Sequence, residues 1–376
     1  MPEPLKNIYT EAFLTGFAAK LRAVHPPFPA ERFALLVMDD GWDRLELKGR
    51  IRRISQTLGV LLPGDFGEAL RILQRLDATC MGFPYLFLPD FVETHGLTEA
   101  DFDRSLDALE RFTSGSSSEF AIRAFLLHSP ERTLLRIKEW ARSGSEHVRR
   151  LSSEGCRPRL PWGQSLPLFK RDPGPVVEIL ELLKADPSLY VRKSVANNLN
   201  DISKDHPALV AELARRWYGD NPSTDWIVRR GCRGLVRRSD PAVLALFGYA
   251  EHADAQDEPL VQSASLTVSP SSVSIGGQAE LLYRIVLRDG EPRRIRIEYA
   301  VDFVKASGRA SRKTFLLSDR IGNDGRAPAG KRVHKFADLT TRRHYAGPHR
   351  IVLLVNGVEA AETTLILVPR LTSSSS

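Results

Sequence analysis

The sequence predicts a multidomain chain, α then β: an α-solenoid of HEAT-like helical repeats followed by an immunoglobulin-like β-sandwich. Three observations predict it. Up to about residue 250, apolar residues recur at spacings of three and four, the period of a helix. Within that region a Val-Arg pair recurs. Near residue 258 the pattern changes to short alternating runs of apolar and polar residues, broken by Ser, Pro and Gly, as strands require. The expected boundaries are 1–257 for the helical domain, 258–370 for the sandwich and 371–376 for a disordered tail containing Ser373–Ser376.

The helices come first. Thr10–Val24, Asp43–Leu58 and Asp65–Thr79 carry the helical spacing, with stops at Gly59, Pro63–Gly64, Gly82 with Pro84, and Gly96. Thr98 is a candidate N-cap, and "SPER" and "NPSTD" offer similar starts. The repeat is visible at Val148–Arg149, Val191–Arg192 and Val228–Arg229. Its separations of 43 and 37 residues lie close to the roughly 40–47 of paired-helix HEAT repeats. "AIRAFL" at Ala121–Leu126 reads as a degenerate fourth copy.

The strands follow in "ASLTVSPSSVSIGGQAELLYRIVLRDG", "RRIRIEYAVDFV", "RKTFLLSD", "HRIVLLVNG" and "AAETTLILV". Turn signals stand at Asp289–Gly290 and Asn356–Gly357, the second a strong hairpin marker. About seven short strands over this length fit a sandwich, and Tyr345 stands where a tyrosine corner would.

Composition bounds the function. The chain has 376 residues, 42% apolar and 26% charged, with a formal net charge of +7. That exceeds the roughly 250–300 residues at which single cores stop growing, and the apolar fraction excludes a wholly disordered chain. No apolar run approaches the roughly 20 residues of a membrane span, and MPEPLKNIYT lacks the apolar stretch of a secretory signal. The expected location is the cytoplasm, with no membrane partner. Cys80, Cys156 and Cys232 are far apart and in no CxxC pair, which argues against a disulfide framework and a structural zinc site.

Charge is segmented. Residues 1–110 carry net −5, 111–240 net +8, 241–260 net −4 and the remainder +8. Two basic blocks on folded domains fit either a polyanion such as nucleic acid or an ordinary solvated surface. On the helix predicted at Leu189–Lys204, Val191, Val195, Leu199 and Ile202 fall on one side. Lys193, Asn197, Asp201 and Lys204 fall on the other, as a functional face or a plain solvated one. In "RRLSSEGCRPRLPWG", prolines stiffen a loop that bears Arg157, Arg159 and Trp162 just after Glu154. Such a set suits a cationic, π-faced ligand beside phosphates, or a core Trp with Arg caps. Glu119 follows a Gly/Ser loop in which Ser116–Ser118 are placed to cap the next helix. There is no Gly-rich phosphate loop, HExxH, nucleophile elbow or metal-spaced His cluster, so neither a cofactor nor a metal is expected.

"SSSEFAIR", "RRLSSEGCRPRLPW" and "VRKSVANNLNDISKDHP" together resemble the AlkC-type DNA alkylation repair glycosylases of the HEAT-like AlkC/AlkD superfamily, in the subgroup with an appended immunoglobulin-like domain. The resemblance implies a monofunctional glycosylase that removes 3-methyladenine, and 3-methylcytosine, from double-stranded DNA. It implies Glu119, Glu154 and Asp201 as the carboxylates around the lesion, with Trp162 on the lesion or its deoxyribose. Asp201 is expected to handle water and cation, the other two to support it. DNA contacts are expected from Arg157, Arg159, Lys193, Asn197, Lys204, Arg229, Arg230 and Arg233, and from Arg309, Arg312, Lys313, Arg342 and Arg343 of the sandwich, in a monomeric protein. A non-enzymatic HEAT scaffold, which predicts an exposed apolar groove, and a glycan-directed protein are the competing readings.

Overall fold

The computed structural model describes residues 3–76, 79–249, 259–288, 293–322, 328–339 and 342–370. The expected 257/258 boundary, the Asp289–Gly290 turn and the 371–376 tail lie outside them. By internal contacts the chain forms two compact units, Met1–Val210 with Trp217–Gly231, and Ala211–Arg216 with Cys232–Ser376.

Sixteen α-helices stand among the described residues: α1 Glu11–Val24, α2 Ala30–Val37, α3 Leu47–Leu61, α4 Phe66–Gln74, α5 Phe87–His95, α6 Phe102–Phe112, α7 Ile122–His128, α8 Pro130–Trp140, α9 Glu146–Gly155, α10 Pro167–Arg171, α11 Gly174–Leu183, α12 Leu189–Ile202, α13 Pro207–Trp217, α14 Pro222–Gly231, α15 Arg233–Arg237 and α16 Pro241–Leu246. Thr10, Asp65, Ser188 and Asp240 cap their helices by accepting from first-turn amides. The helix expected from Asp43 starts only at Leu47, because Trp42–Arg44 make a 3-10 turn. That turn anchors the buried Trp42 ring, over which the Arg50 guanidinium lies at 4.6 Å. Thr98 accepts from the Asp101 amide, and α6 begins after that turn rather than on it. Ser118 does not cap α7 with its side chain; its hydroxyl donates to the Leu109 carbonyl at 2.7 Å and ties the loop to α6.

The Val-Arg repeat has a physical basis. α9 packs on α12, and α12 on α14. Val148, Val191 and Val228 are buried between neighbours. Arg149 turns back to donate to the carbonyls of Ser143 and Gly144, and Arg192 to those of Asp186 and Pro187. The valine packs the layer and the arginine locks the turn before its own helix.

The strand region folds as two sheets, ordered β1-β3-β6 and β2-β8-β7-β4-β5, with β1 Val261–Ser269, β2 Ser272–Ser274, β3 Gln278–Leu287, β4 Arg293–Val304, β5 Ala310–Gly322, β6 Ala329–Lys335, β7 Gly347–Val355 and β8 Val358–Val368. All pairings are antiparallel except β2 on β8. Alternate residues such as Ile295, Ile297, Tyr299, Val301 and Phe303 of β4 lie beside Ile351, Leu353 and Val355 of β7 on one face of their sheet, and pack in one core with Leu266 of β1 and Leu281 and Ile285 of β3. β6 is the strand that sequence patterning misses: in AGKRVHK only His334 is buried, so no apolar alternation marks it. Asn356 and Gly357 have φ of 47° and 85°, the left-handed pair that a two-residue hairpin between β7 and β8 needs. Tyr345 is half-buried and makes no hydrogen bond among the described residues, so it is no tyrosine corner. Its neighbour His344 is the buried residue there, bonded to Asp338.

Candidate active site

The site grows from the crossing of α9 and α12. Ser153 and Ser194 are small enough to let the helices approach, and their hydroxyls bond at 3.0 Å. Asn198, fully buried, donates to the Ser153 carbonyl. Glu154, the penultimate residue of α9, is drawn into this seam and accepts from Ser194 Oγ at 2.6 Å. Gly155 follows because a Cβ there would meet Ile122 at 2.6 Å.

The three expected carboxylates sit in one alternating chain of charge. Glu119 accepts from Ser117 at 2.7 Å and pairs with Arg150. Arg150 reaches on to Glu154 at 3.7 Å. Arg157 donates to Glu154 Oε1 at 2.6 Å and to Asp201 Oδ2 at 2.9 Å, and Lys204 closes the chain on Asp201 Oδ1 at 2.9 Å. Burial works against the charge of both arginines, yet Glu119 and Glu154 hold Arg150, and Glu154 and Asp201 hold Arg157, above the ordinary guanidinium value. Arg150 was legible only as the i,i+4 partner of Glu154, and sequence reading passed over it.

Glu119 and Glu154 line a cavity of about 480 Å³ whose aromatic walls are Phe83, Phe120, Trp162 and Tyr190. Trp162 stands at its mouth, 62% exposed, with φ of 61°. A left-handed tryptophan costs about 1–3 kcal/mol, a strain found where function selects it. Asp201 is not among the lining residues; it is buried behind Arg157. The α12 face expected to be open is therefore half closed: Lys193 and Lys204 are exposed, Asn197 is half-buried and Asp201 is buried.

Over residues 262–369 the chain matches a family described as the C-terminal Ig-like domain of the uncharacterised protein YhaZ. It is 43% identical over 353 residues to the uncharacterized protein YhaZ of Bacillus subtilis (strain 168), covering 94% of this chain and 96% of that one. Its fold is similar to that of Pseudomonas fluorescens alkylpurine DNA glycosylase AlkC bound to DNA containing an abasic site analog. The TM-score is 0.89 at 38% identity, over 97% of this chain and 100% of that one. The chain belongs to the AlkC family.

In this AlkC-family chain the expected DNA-contacting cations divide. Arg157 is spent inside the carboxylate chain, and Arg159 pairs with Asp205 at 2.5 Å. Lys193 has no ion pair among the described residues. Arg229 bonds the Tyr218 hydroxyl, Arg230 lies over the Trp226 ring, and Arg233 belongs to the second unit. In the sandwich Arg312 is held by Asp302 and Glu359, and Arg342 covers Phe303, whereas Arg309 and Arg343 are exposed. Among the described residues no group of three His, Cys, Asp or Glu is placed to hold a metal, and no helix is long and apolar enough to cross a membrane.

Proposed function

We propose that this protein is a monofunctional DNA glycosylase that hydrolyses the N-glycosidic bond of cationic N3-alkylated bases, 3-methyladenine and 3-methylcytosine, in double-stranded DNA and leaves an abasic site. It works as a monomer and without a cofactor. The observation that carries this reading is the pair Glu119 and Glu154 in an aromatic-walled cavity, in a chain of the AlkC family.

The chemistry follows from charge. Alkylation at N3 makes the base cationic and weakens its bond to the sugar, so the base leaves neutral and needs no general acid. Cleavage builds oxocarbenium character on the deoxyribose, which fixed carboxylates stabilise. Trp162 supplies a π-face to the cation or the sugar. The water role expected of Asp201 passes to Glu119, because its side chain is 14% exposed against 8% for Glu154 and 3% for Asp201. Asp201, with both oxygens engaged by Arg157 and Lys204, acts by holding Arg157. The DNA backbone meets Lys193, Arg159, Arg229, Arg230 and, on the second unit, Arg233, Arg309 and Arg343. Incubation with methylated DNA and chromatography of released bases tests the reading. Free 3-methyladenine is expected, and its absence overturns the assignment.

A further inference from the structure

We propose that Arg123 is a positioning residue for base excision: its buried guanidinium clamps the 155–164 loop in the shape that presents Trp162 to the cavity and Arg157 to the carboxylates. The inference rests on the glycosylase reading and adds to it a residue outside the carboxylate chain.

Arg123 is 1% exposed. It has no carboxylate within ion-pair distance among the described residues, an expensive place for a guanidinium. Its three bonds go to main-chain carbonyls of a single loop. Nη1 donates to Gly155 at 2.9 Å and to Arg157 at 2.8 Å, and Nε donates to Gln164 at 2.5 Å. The clamp thus grips both ends of the segment that contains left-handed Trp162. Between them the loop has few bonds of its own, Gly163 to Leu160 and Leu166 to Pro158. Nη2 is equally buried and has no partner among the described residues.

The repeat supplies an independent reason. Ile122–Arg123, in the degenerate fourth copy "AIRAFL", stands where Val148–Arg149 and Val191–Arg192 stand in theirs. Arg149 and Arg192 lock the turn five and six residues before them. Arg123 keeps the carbonyl-clamping chemistry and redirects it to a loop 32 to 41 residues downstream. A device that elsewhere stabilises a local turn is here aimed at the segment that carries the site. Burial pushes the Arg123 guanidinium down to about 10, which still leaves it charged at neutral pH.

The test uses full-length Arg123→Met and Arg123→Lys on methylated duplex DNA, read by single-turnover base release and by DNA binding. Arg123→Met is expected to slow release by about 10–100-fold, with DNA affinity changed by less than about threefold. Arg123→Lys recovers part of the rate. In a Trp162→Ala background the Arg123→Met effect shrinks without vanishing, because the part of the clamp that presents Trp162 is lost while the part that presents Arg157 remains. Wild-type rates in Arg123→Met, or full additivity with Trp162→Ala, overturn the proposal. Should Arg123→Met not fold, Gly163→Ala disturbs the same clamp, since its Cβ falls 3.2 Å from Arg123 Nε, and an unchanged rate there overturns it equally. If the wild-type chain releases no base, the glycosylase reading itself fails, and this inference with it.

Discussion

Arg157 donates through Nε to Asp201 Oδ2 across 2.9 Å, with both side chains removed from solvent. The same guanidinium bonds Glu154 at 2.6 Å, so one buried cation serves two buried anions. Arg157→Met removes the cation they share, leaving Glu154 with Ser194 and the more distant Arg150, and Asp201 with Lys204; losing one partner of a buried pair costs about 3–5 kcal/mol. Urea unfolding of variant and parent at neutral pH checks this, and a variant as stable as its parent contradicts it.

Glu119 and Asp201 separate in a second experiment. Glu119→Gln is expected to lower single-turnover excision by about 10²–10³-fold at a smaller cost in stability than Asp201→Asn, since Glu119 is the most exposed of the three carboxylates and Arg150 keeps Glu154 nearby. Asp201→Asn loses excision too, but with about 1–3 kcal/mol of stability, because Arg157 keeps only part of its buried charge partners. Equal stability of the two variants contradicts the division of roles.

Lys193 is exposed on α12 and engages no anion among the described residues. Lys193→Ala is therefore expected to weaken DNA binding uniformly across sequences and to reduce the slope of log K against log salt by about 1. Excision at saturating enzyme stays unchanged. Fluorescence anisotropy at three salt concentrations reads the slope, and an unaltered slope removes Lys193 from the DNA-binding surface.

Much of this was legible in the sequence, and what was not has a common cause. The helical period, the Val-Arg repeat and the Asn356–Gly357 hairpin are local rules, and each appears where its residues stand. Glu154 and Asp201 were visible as residues, but their burial was not, because it depends on Ser153 and Ser194 letting two helices approach closely. Arg157 read as a phosphate contact for the same reason: its two carboxylate partners lie 3 and 44 residues away. Arg123 carries no signal in the sequence beyond its place in "AIRAFL", because its carbonyl partners lie 32 to 41 residues downstream. β6 escaped because an exposed basic strand lacks the apolar alternation that marks the others.

The sandwich should lose stability in mild acid through His334. This side chain is buried on β6, with Nδ1 bonded to the Tyr299 hydroxyl at 2.8 Å and Nε2 without a partner among the described residues. Burial first, then the nearby charges of Arg342, His344, Arg332 and His349, push its pKa down from 6.5 to about 4. Between those values the unfolded chain binds the proton and the folded chain refuses it, so stability falls as pH drops through 6.5 and levels off near 4. From pH 8 to pH 5 the loss from this one group is about 2 kcal/mol. His344 and His349, lowered by burial as well, act in the same direction. In His334→Phe the ring still packs among Phe303, Phe315 and Phe336, and the orphaned Tyr299 hydroxyl subtracts a constant that does not vary with pH in this range. The difference in unfolding free energy between parent and variant should therefore change by about 2 kcal/mol across pH 8 to 5. A difference that stays constant over that interval assigns the acid sensitivity to other groups.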